Sequence, residues 1–148
     1  MRIEATILIE PVAKARARHT VIGKHVRTYT PAKTANAETL VLYSVREKLA
    51  SGDTFPKGVA LHLAVTFYRA KPKSAPKRLS MPLTRPDLDN YLKLLLDALN
   101  GYAFPDDGQV TRISAAKRFG DPPRIELVLT EDNPESDFVR TKENGRLL

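Results

Sequence analysis

The chain has 148 residues with 24 basic and 17 acidic side chains, a formal net charge of +7, and no cysteine. One domain is expected at this length, because such a chain can bury a core without covalent cross-links. The absence of cysteine excludes disulfides, zinc–thiolate sites and thiol catalysis, and it fits a cytoplasmic protein. No apolar stretch is long enough for a membrane span, and residues 1–4 lack the apolar core of a signal peptide, so we expect a soluble intracellular protein.

The first half of the chain is predicted to form two strands separated by a helix. Alternating apolar residues predict a strand over 2–9, and a basic loop follows Pro11. Apolar helical spacing among good helix formers predicts a helix over 31–50 that is closed by Gly52. The alternation returns over 59–69 and predicts the second strand.

The second half is predicted to add a helix and two strands. Residues 70–86 hold four of the eleven prolines and so form a loop, and an apolar helical pattern follows over 89–100, ended by Gly101. Two further strands, 109–119 and 123–130, are joined by a Gly-Asp-Pro-Pro sequence that favours a hairpin turn. The order β-α-β-α-β-β predicts a single α+β domain, an α/β sandwich in which two main helices pack on a mixed sheet.

Charge divides the chain into a cationic body and an acidic end. Residues 131–148 hold three basic and five acidic side chains, so residues 1–130 carry 21 basic against 12 acidic side chains. The end of the chain is also poor in apolar residues, which is typical of a mobile or partner-dependent tail. We therefore predict a folded domain over 1–130 and a polar tail over 131–148.

Two segments without any acidic residue concentrate the positive charge. They span 14–33 and 69–85. Basic patches of this kind bind a phosphate backbone, with an affinity that falls as salt rises. Solvated loops that keep the protein soluble are the alternative interpretation. The candidate DNA-binding side chains are Lys14, Arg16, Arg18, Lys24, Arg27, Lys71, Lys73, Lys77, Arg78 and Arg85.

Carboxylates gather at two points in this cationic background. Asp87 and Asp89 stand at the start of the second predicted helix, and Asp106 and Asp107 follow it. Oxygen ligands at two sites joined by one helix favour a hard divalent cation between them, Mg²⁺ or Mn²⁺. Taken singly, the first pair is also typical of helix capping and the second pair of a turn. A metal site on a basic surface favours a nuclease.

The second helix is predicted to have one apolar face and one chemical face. Lys93 and Asp97 follow Asp89 at four-residue intervals and share its face, while Asp87 or Asp89 is placed to cap the helix start. An apolar stripe on the opposite side is expected to pack into the core. A shared metal site requires the later acids to fold back towards the earlier ones. The apolar stripe comprises Leu88, Leu92, Leu95, Leu96 and Leu99.

Three short motifs, in order, resemble those of one family. They are D-x-D-N-x-x-K from Asp87, D-A-L from Asp97 and D-D-x-Q-V from Asp106, and the strand that follows carries Lys117. Over about residues 85–130, their order and spacing resemble the RusA-type Holliday junction resolvases of bacteria and prophages. The strand, loop and helix before them match that family only loosely.

The resemblance implies a homodimeric, Mg²⁺-dependent endonuclease, cytoplasmic in a bacterium or encoded by a phage, with Mn²⁺ as a substitute ion. Such an enzyme would bind four-way DNA junctions and resolve them by paired symmetrical nicks, through attack of a metal-activated water on the phosphodiester. The site residues that the resemblance implies are the metal-binding catalytic acids Asp87, Asp89 and Asp107, the catalytic Lys93, and Asp106 and Lys117 as additional candidates.

Two other functions stay open from the sequence. The first is a non-catalytic, structure-selective DNA-binding protein whose acids only cap structural elements. It would bind junctions in EDTA without cutting them. The second is a related nuclease that uses the same residues on flaps or replication forks. Cleavage of a junction compared with that of a flap and a plain duplex separates these hypotheses.

Overall fold

The computed structural model describes residues 1–15, 18–29, 31–49 and 52–135. Within these ranges the chain forms six strands and two α-helices, and a single turn of 3-10 helix, Asp107–Gln109, precedes the fifth strand. The elements in chain order are β1 (Arg2–Ile7), β2 (Arg18–Ile22), β3 (His25–Tyr29), α1 (Ala32–Arg46), β4 (Leu61–Arg69), α2 (Leu88–Leu99), β5 (Val110–Phe119) and β6 (Arg124–Glu131).

Four of the strands form a mixed sheet in the order β1-β6-β4-β5. Strand β4 pairs parallel with β5 and antiparallel with β6, and β6 pairs antiparallel with β1. Side chains alternate between the two faces of a strand, so one face of each of β1, β4 and β6 is apolar and buried. The buried side chains of this face are Ile3, Ala5, Ile7, Leu61, Leu63, Val65, Phe67, Ile125, Leu127 and Leu129.

Both helices pack against that apolar face. Val41 and Val45 of α1 and Leu95 and Leu99 of α2 are buried in the same cluster as the strand residues. The ring of Tyr91 in α2 stacks on Phe67 of β4, with centroids 5.1 Å apart. The predicted α+β domain, with two helices packed on a mixed sheet, is confirmed. Helix α2 also carries the chain from β4 back to the parallel neighbour β5, as a crossover connection must.

The predicted hairpin between the last two strands is wrong, because β4 lies between β5 and β6. The connection 120–123 passes over the end of β4, where Gly120 N–H donates to the Arg69 carbonyl at 3.0 Å. A Cβ on Gly120 would lie 2.7 Å from Cβ of Tyr68, so only glycine allows the chain to cross this closely. A turn sequence marks a change of direction but does not show which strands pair.

Two further differences lie before β4. The predicted basic loop contains the β2–β3 hairpin, whose two-residue turn has Gly23 at φ 62°, the conformation that glycine supplies in such turns. Helix α1 ends at Arg46, earlier than the predicted closure at Gly52. The hairpin is missed because basic residues interrupt its short alternating strands.

The last strand runs slightly past the predicted domain end. Strand β6 reaches Glu131, and Asp132 N–H donates to the Ala60 carbonyl at 2.8 Å. The Asp132 carboxylate accepts a hydrogen bond of 2.7 Å from Thr111 and pairs with Arg112 at 3.0 Å. The rest of the predicted tail, from residue 136, lies outside the described residues. No helix in the described part of the chain is long and apolar enough to cross a membrane.

Candidate functional site

A pocket of about 240 Å³ lies between α2, the 3-10 turn and the start of β5. Acids from α2 and from the turn after it line this pocket together, whereas Asp87 does not line it. Three carboxylates and one ammonium stand over an apolar floor of two leucines and one isoleucine. The lining residues are Asp89, Leu92, Lys93, Leu96, Asp97, Asp107 and Ile113.

Helix periodicity explains how α2 supplies most of this pocket. Asp89, Lys93 and Asp97 are four residues apart and therefore share one face of the helix. At 1.5 Å per residue the two acids are about 12 Å apart along the axis, so the pocket runs along the helix rather than sitting at its tip. The predicted apolar stripe is only partly right, because Leu92 and Leu96 are half-buried and line the pocket. The buried residues of α2 are Tyr91, Leu94, Leu95, Ala98 and Leu99.

Asp87 is the N-cap residue of α2, but its side chain makes no capping hydrogen bond. Its backbone carbonyl accepts from Asn90 N–H at 3.2 Å and Tyr91 N–H at 3.3 Å, which begins the helix. The carboxylate is exposed beside the pocket's end at Asp89, although it does not line the pocket. The predicted capping role is therefore taken by neither Asp87 nor Asp89 through a side-chain bond.

The two aspartates after α2 have separate tasks. The Asp106 carboxylate accepts a hydrogen bond of 3.4 Å from Gly108 N–H, and the Gln109 side chain accepts one of 3.3 Å from Asp106 N–H. This reciprocal capping box forms the 3-10 turn. Asp107 N–H donates to Oδ1 of Asn100 at 3.1 Å, and the Asp107 side chain lines the pocket. Asp106 thus builds the turn that presents Asp107.

Lys117 lies outside the pocket and holds the segment that leads into Asp87. Its Nζ donates to the carbonyls of Thr84 at 2.9 Å and Pro86 at 3.1 Å. Arg69, the last residue of β4, donates to the Thr84 carbonyl at 3.2 Å and to the Arg85 carbonyl at 3.0 Å. Two cations from neighbouring strands therefore fix this segment. Sequence reasoning missed the contribution of Arg69, since nothing local marks it.

Lys14, predicted to bind DNA, is engaged with two acids instead. Its ammonium pairs with Glu38 of α1 and, at 3.2 Å, with Asp97 of α2. The hydrogen bond to Glu38 raises the pKa of Lys14 most strongly, Asp97 raises it further, and burial offsets part of the increase. Lys14 N–H also donates to the Asn90 carbonyl at 3.1 Å. These pairs are distant in sequence, so an acid-free run could not reveal them.

The other basic candidates are mostly exposed. Lys24 and Arg27 lie on the β2–β3 hairpin. The candidates from the second acid-free segment, here called the second group, lie on the loop 70–87 that leads into α2. Arg16 and the side chain of Arg18 lie outside what the structure describes. The exposed basic residues of the second group are Lys71, Lys73, Lys77, Arg78 and Arg85.

The chemistry of the pocket fits a hard divalent cation. Among the described residues, no group of three or more His, Asp or Glu side chains is arranged so that it could hold a metal ion. Mg²⁺ in proteins is commonly bound by only one or two carboxylates, with water and substrate phosphate as the remaining ligands. Exposed carboxylates such as Asp89 and Asp107 suit that pattern, since a DNA phosphate can approach them.

Fold and pocket together define a basic α+β domain that presents carboxylates and a lysine close to exposed cationic segments. The family model described as Endodeoxyribonuclease RusA matches residues 9–130. The chain belongs to this family, which confirms the resemblance found in its motifs.

Two relatives match the chain, and the name of the second agrees with the family. The uncharacterized protein YqaN of Bacillus subtilis (strain 168) is 33% identical over 140 residues, which cover 87% of this chain and 96% of that protein. The crossover junction endodeoxyribonuclease rusA of Lactococcus phage r1t is 34% identical over 93 residues, or 60% of this chain and 70% of the phage protein.

Proposed function

We propose that this chain is a divalent-metal-dependent endonuclease that resolves four-way DNA junctions by paired nicks. The observation that carries the proposal is the pocket in which Asp89, Asp107 and Lys93 meet. Membership of the RusA endodeoxyribonuclease family supports DNA cleavage, and the name of the phage relative supports a crossover junction as the substrate.

Asp89 and Asp107, which line the pocket, would hold Mg²⁺, for which Mn²⁺ can substitute, and Asp87, two residues before Asp89, is the further predicted ligand. When bound, such an ion makes a water more acidic and neutralises charge on the phosphate under attack. The carboxylates would bind and orient the ion, because they supply the oxygen ligands that Mg²⁺ prefers. Lys93 donates hydrogen bonds to phosphate oxygens as negative charge develops on them. Leu92, Leu96 and Ile113 limit water on the inner side of the site.

The exposed basic loop 70–87 would hold the DNA backbone on the site. It leads directly into α2, so phosphates bound there lie near the end of the pocket that carries Asp89. Contacts between lysine or arginine and phosphate fix position but carry little sequence information. The loop thus supports recognition of a junction by its shape.

A homodimer would match the symmetry of the substrate. A four-way junction offers two equivalent strands for cutting, and two copies related by a twofold axis present two equivalent sites. We therefore propose that each subunit cuts one strand.

The test compares cleavage of a synthetic four-way junction, a flap and a plain duplex, in Mg²⁺ and in EDTA. Wild type is expected to cut the junction fastest and only with the metal. Asp89→Asn is expected to lose about 100-fold or more in rate, and Lys93→Ala to bind junctions but cut them slowly. Asp53→Asn, the same change at an exposed aspartate outside the pocket, is the matched control and should cut like wild type.

Each alternative function has its own result in this experiment. Equal cutting by wild type and Asp89→Asn would refute the proposed active site. Junction binding without any cutting would indicate a DNA-binding protein, and a preference for the flap would indicate another nuclease substrate.

A further inference from the structure

The β2–β3 hairpin exposes apolar side chains that a free surface rarely keeps uncovered. Val21 is 70% exposed, Ile22 59% and Val26 66%, and every side chain from 19 to 27 is exposed. A two-stranded hairpin is only marginally stable in water by itself. Exposed apolar clusters on a projecting element commonly mark a contact surface.

The positive charge of the hairpin favours a negatively charged partner. No acidic residue occurs between Glu10 and Glu38, and Lys24 stands in the turn with Arg27 on β3. A polyanion is complementary to this basic surface, so DNA is the favoured occupant.

The dimensions of the hairpin suit a DNA groove. Each strand has five residues, which corresponds to a ribbon about 16 Å long at 3.3 Å per residue. The major groove is about 12 Å wide and admits a two-stranded ribbon. Val21 and Val26 are paired across the strands and share one face, which could rest on the edges of base pairs.

Lys14, in the segment that leads into the hairpin, is bonded to α2, the helix that lines the acidic pocket. Lys14 N–H donates to the Asn90 carbonyl at 3.1 Å, next to Asp89 in sequence. The Lys14 ammonium pairs with Asp97, which lines the pocket. Arg18, the first residue of β2, is four positions after Lys14 along the chain, a span of at most about 14 Å. DNA held by the hairpin is therefore held close to the pocket.

We infer that the β2–β3 hairpin is a DNA-binding arm that lies in the major groove of a duplex arm beside the acidic pocket. Lys24 and Arg27 reach phosphates on the sides of the groove, and the face with Val21 and Val26 contacts base edges. This inference rests on the proposed nuclease function. It assigns to the hairpin the task of holding the substrate against the site.

Binding measurements test the arm separately from catalysis. Dissociation constants for a four-way junction and a duplex are measured in EDTA over a salt series, for wild type and two double variants. Lys24→Ala with Arg27→Ala is expected to weaken binding and to lower the slope of log K against log salt by about two. Val21→Ser with Val26→Ser is expected to weaken binding with the slope unchanged. Lys48→Ala and Leu8→Ser, exposed basic and apolar residues elsewhere, are the controls.

A labelling experiment checks the arm without weakening it. Because the chain has no cysteine, Ile22→Cys introduces a single thiol at the hairpin tip. Its rate of reaction with a maleimide is expected to fall when junction DNA is added, whereas the rate at Leu8→Cys should not change.

The outcomes separate the arm from the proposed function. If wild type binds and cuts junctions but both hairpin variants bind like wild type and Ile22→Cys stays reactive, the arm is refuted and the nuclease stands. If wild type neither binds nor cuts, the proposed function itself fails. If the valine variant turns a dimer into a monomer on sedimentation and binds DNA normally, a second copy covers the hairpin and the inference is overturned.

Discussion

Neighbouring residues in the motifs of this chain perform different physical tasks. Asp106 and Gln109 close a capping box, while Asp107 between them projects into the pocket. A substitution at Asp106 therefore acts through the shape of the turn, and one at Asp107 acts on the pocket directly. The motif D-D-x-Q-V encodes both a support and the group that it supports.

Lys117 is the residue whose supporting task is most open to test. Lys117→Met removes two hydrogen bonds from the segment before Asp87, so the metal-binding carboxylates that we propose lose a fixed position. We expect the Mg²⁺ concentration for half-maximal cleavage to rise roughly tenfold or more, as for other supports of metal ligands, with junction affinity unchanged. A Mg²⁺ titration of the cleavage rate, alongside binding in EDTA, measures both.

Matched variants distinguish this support from a general effect. Lys117→Arg keeps the charge and should recover part of the activity, while Arg118→Met changes the exposed neighbouring side chain and should behave like wild type. An unchanged Mg²⁺ requirement in Lys117→Met, or a loss of junction binding instead, would contradict the assignment.

At the scale of elements, Lys14 connects three parts of the molecule. Its ammonium bonds to α1 and α2 from the segment that leads to the hairpin. Folding raises the pKa of Lys14 above its ordinary value of 10.5, so the folded state binds this proton more tightly than the unfolded chain. The stabilisation is thus complete below pH 10.5 and is lost as pH rises through the higher, folded value.

We expect the unfolding free energies of wild type and Lys14→Met to differ by an amount that depends on pH. The variant should lose about 1.5 kcal/mol of unfolding free energy at pH 7 to 9, the low end for a hydrogen bond to a charged group. The difference should shrink at pH values above 10.5. Urea unfolding at several pH values measures it, with the exposed Lys48→Met as control. A difference that stays constant to the highest pH would show that lost packing, not the charge, is responsible.

The elements also show which features a sequence can predict. Helix α2 and its shared face follow from local spacing and were predicted within a residue or two, and the turn after it was the alternative interpretation of the second acid pair. The predicted pairing of β5 with β6 was wrong, because β4 lies between them and is distant in sequence. The close approach of Gly120 to Tyr68 is a consequence of this crossing, and the sequence alone does not reveal it. The hydrogen bonds from Arg69 and Lys117 to the segment 84–86 likewise join residues that are distant in sequence.

At the scale of the whole molecule, the main feature is that the acidic pocket lies close to the cationic segments. Helix α2 is hydrogen-bonded to Lys14 before the hairpin, follows directly on the basic loop, and lines the pocket. One helix therefore links the proposed binding of DNA to its cleavage. The sequence predicted the basic runs and the acids separately. Their combination suggested a nuclease before the motif resemblance was considered, but their meeting on one helix depends on the packing of the complete fold.

The proposed dimer predicts how the molecule divides its work between two sites. Dimers that pair one wild-type subunit with one Asp89→Asn subunit, isolated through two different affinity tags, should have one active site. On a supercoiled plasmid with an extruded cruciform, wild type should give linear DNA by cutting both strands. The mixed dimer should stop at the nicked circle, since its second site is inactive and each subunit cuts one strand. Linear product from the mixed dimer at the wild-type rate would show that one site makes both cuts. A wild-type enzyme that sediments as a monomer while it resolves junctions would exclude the dimer.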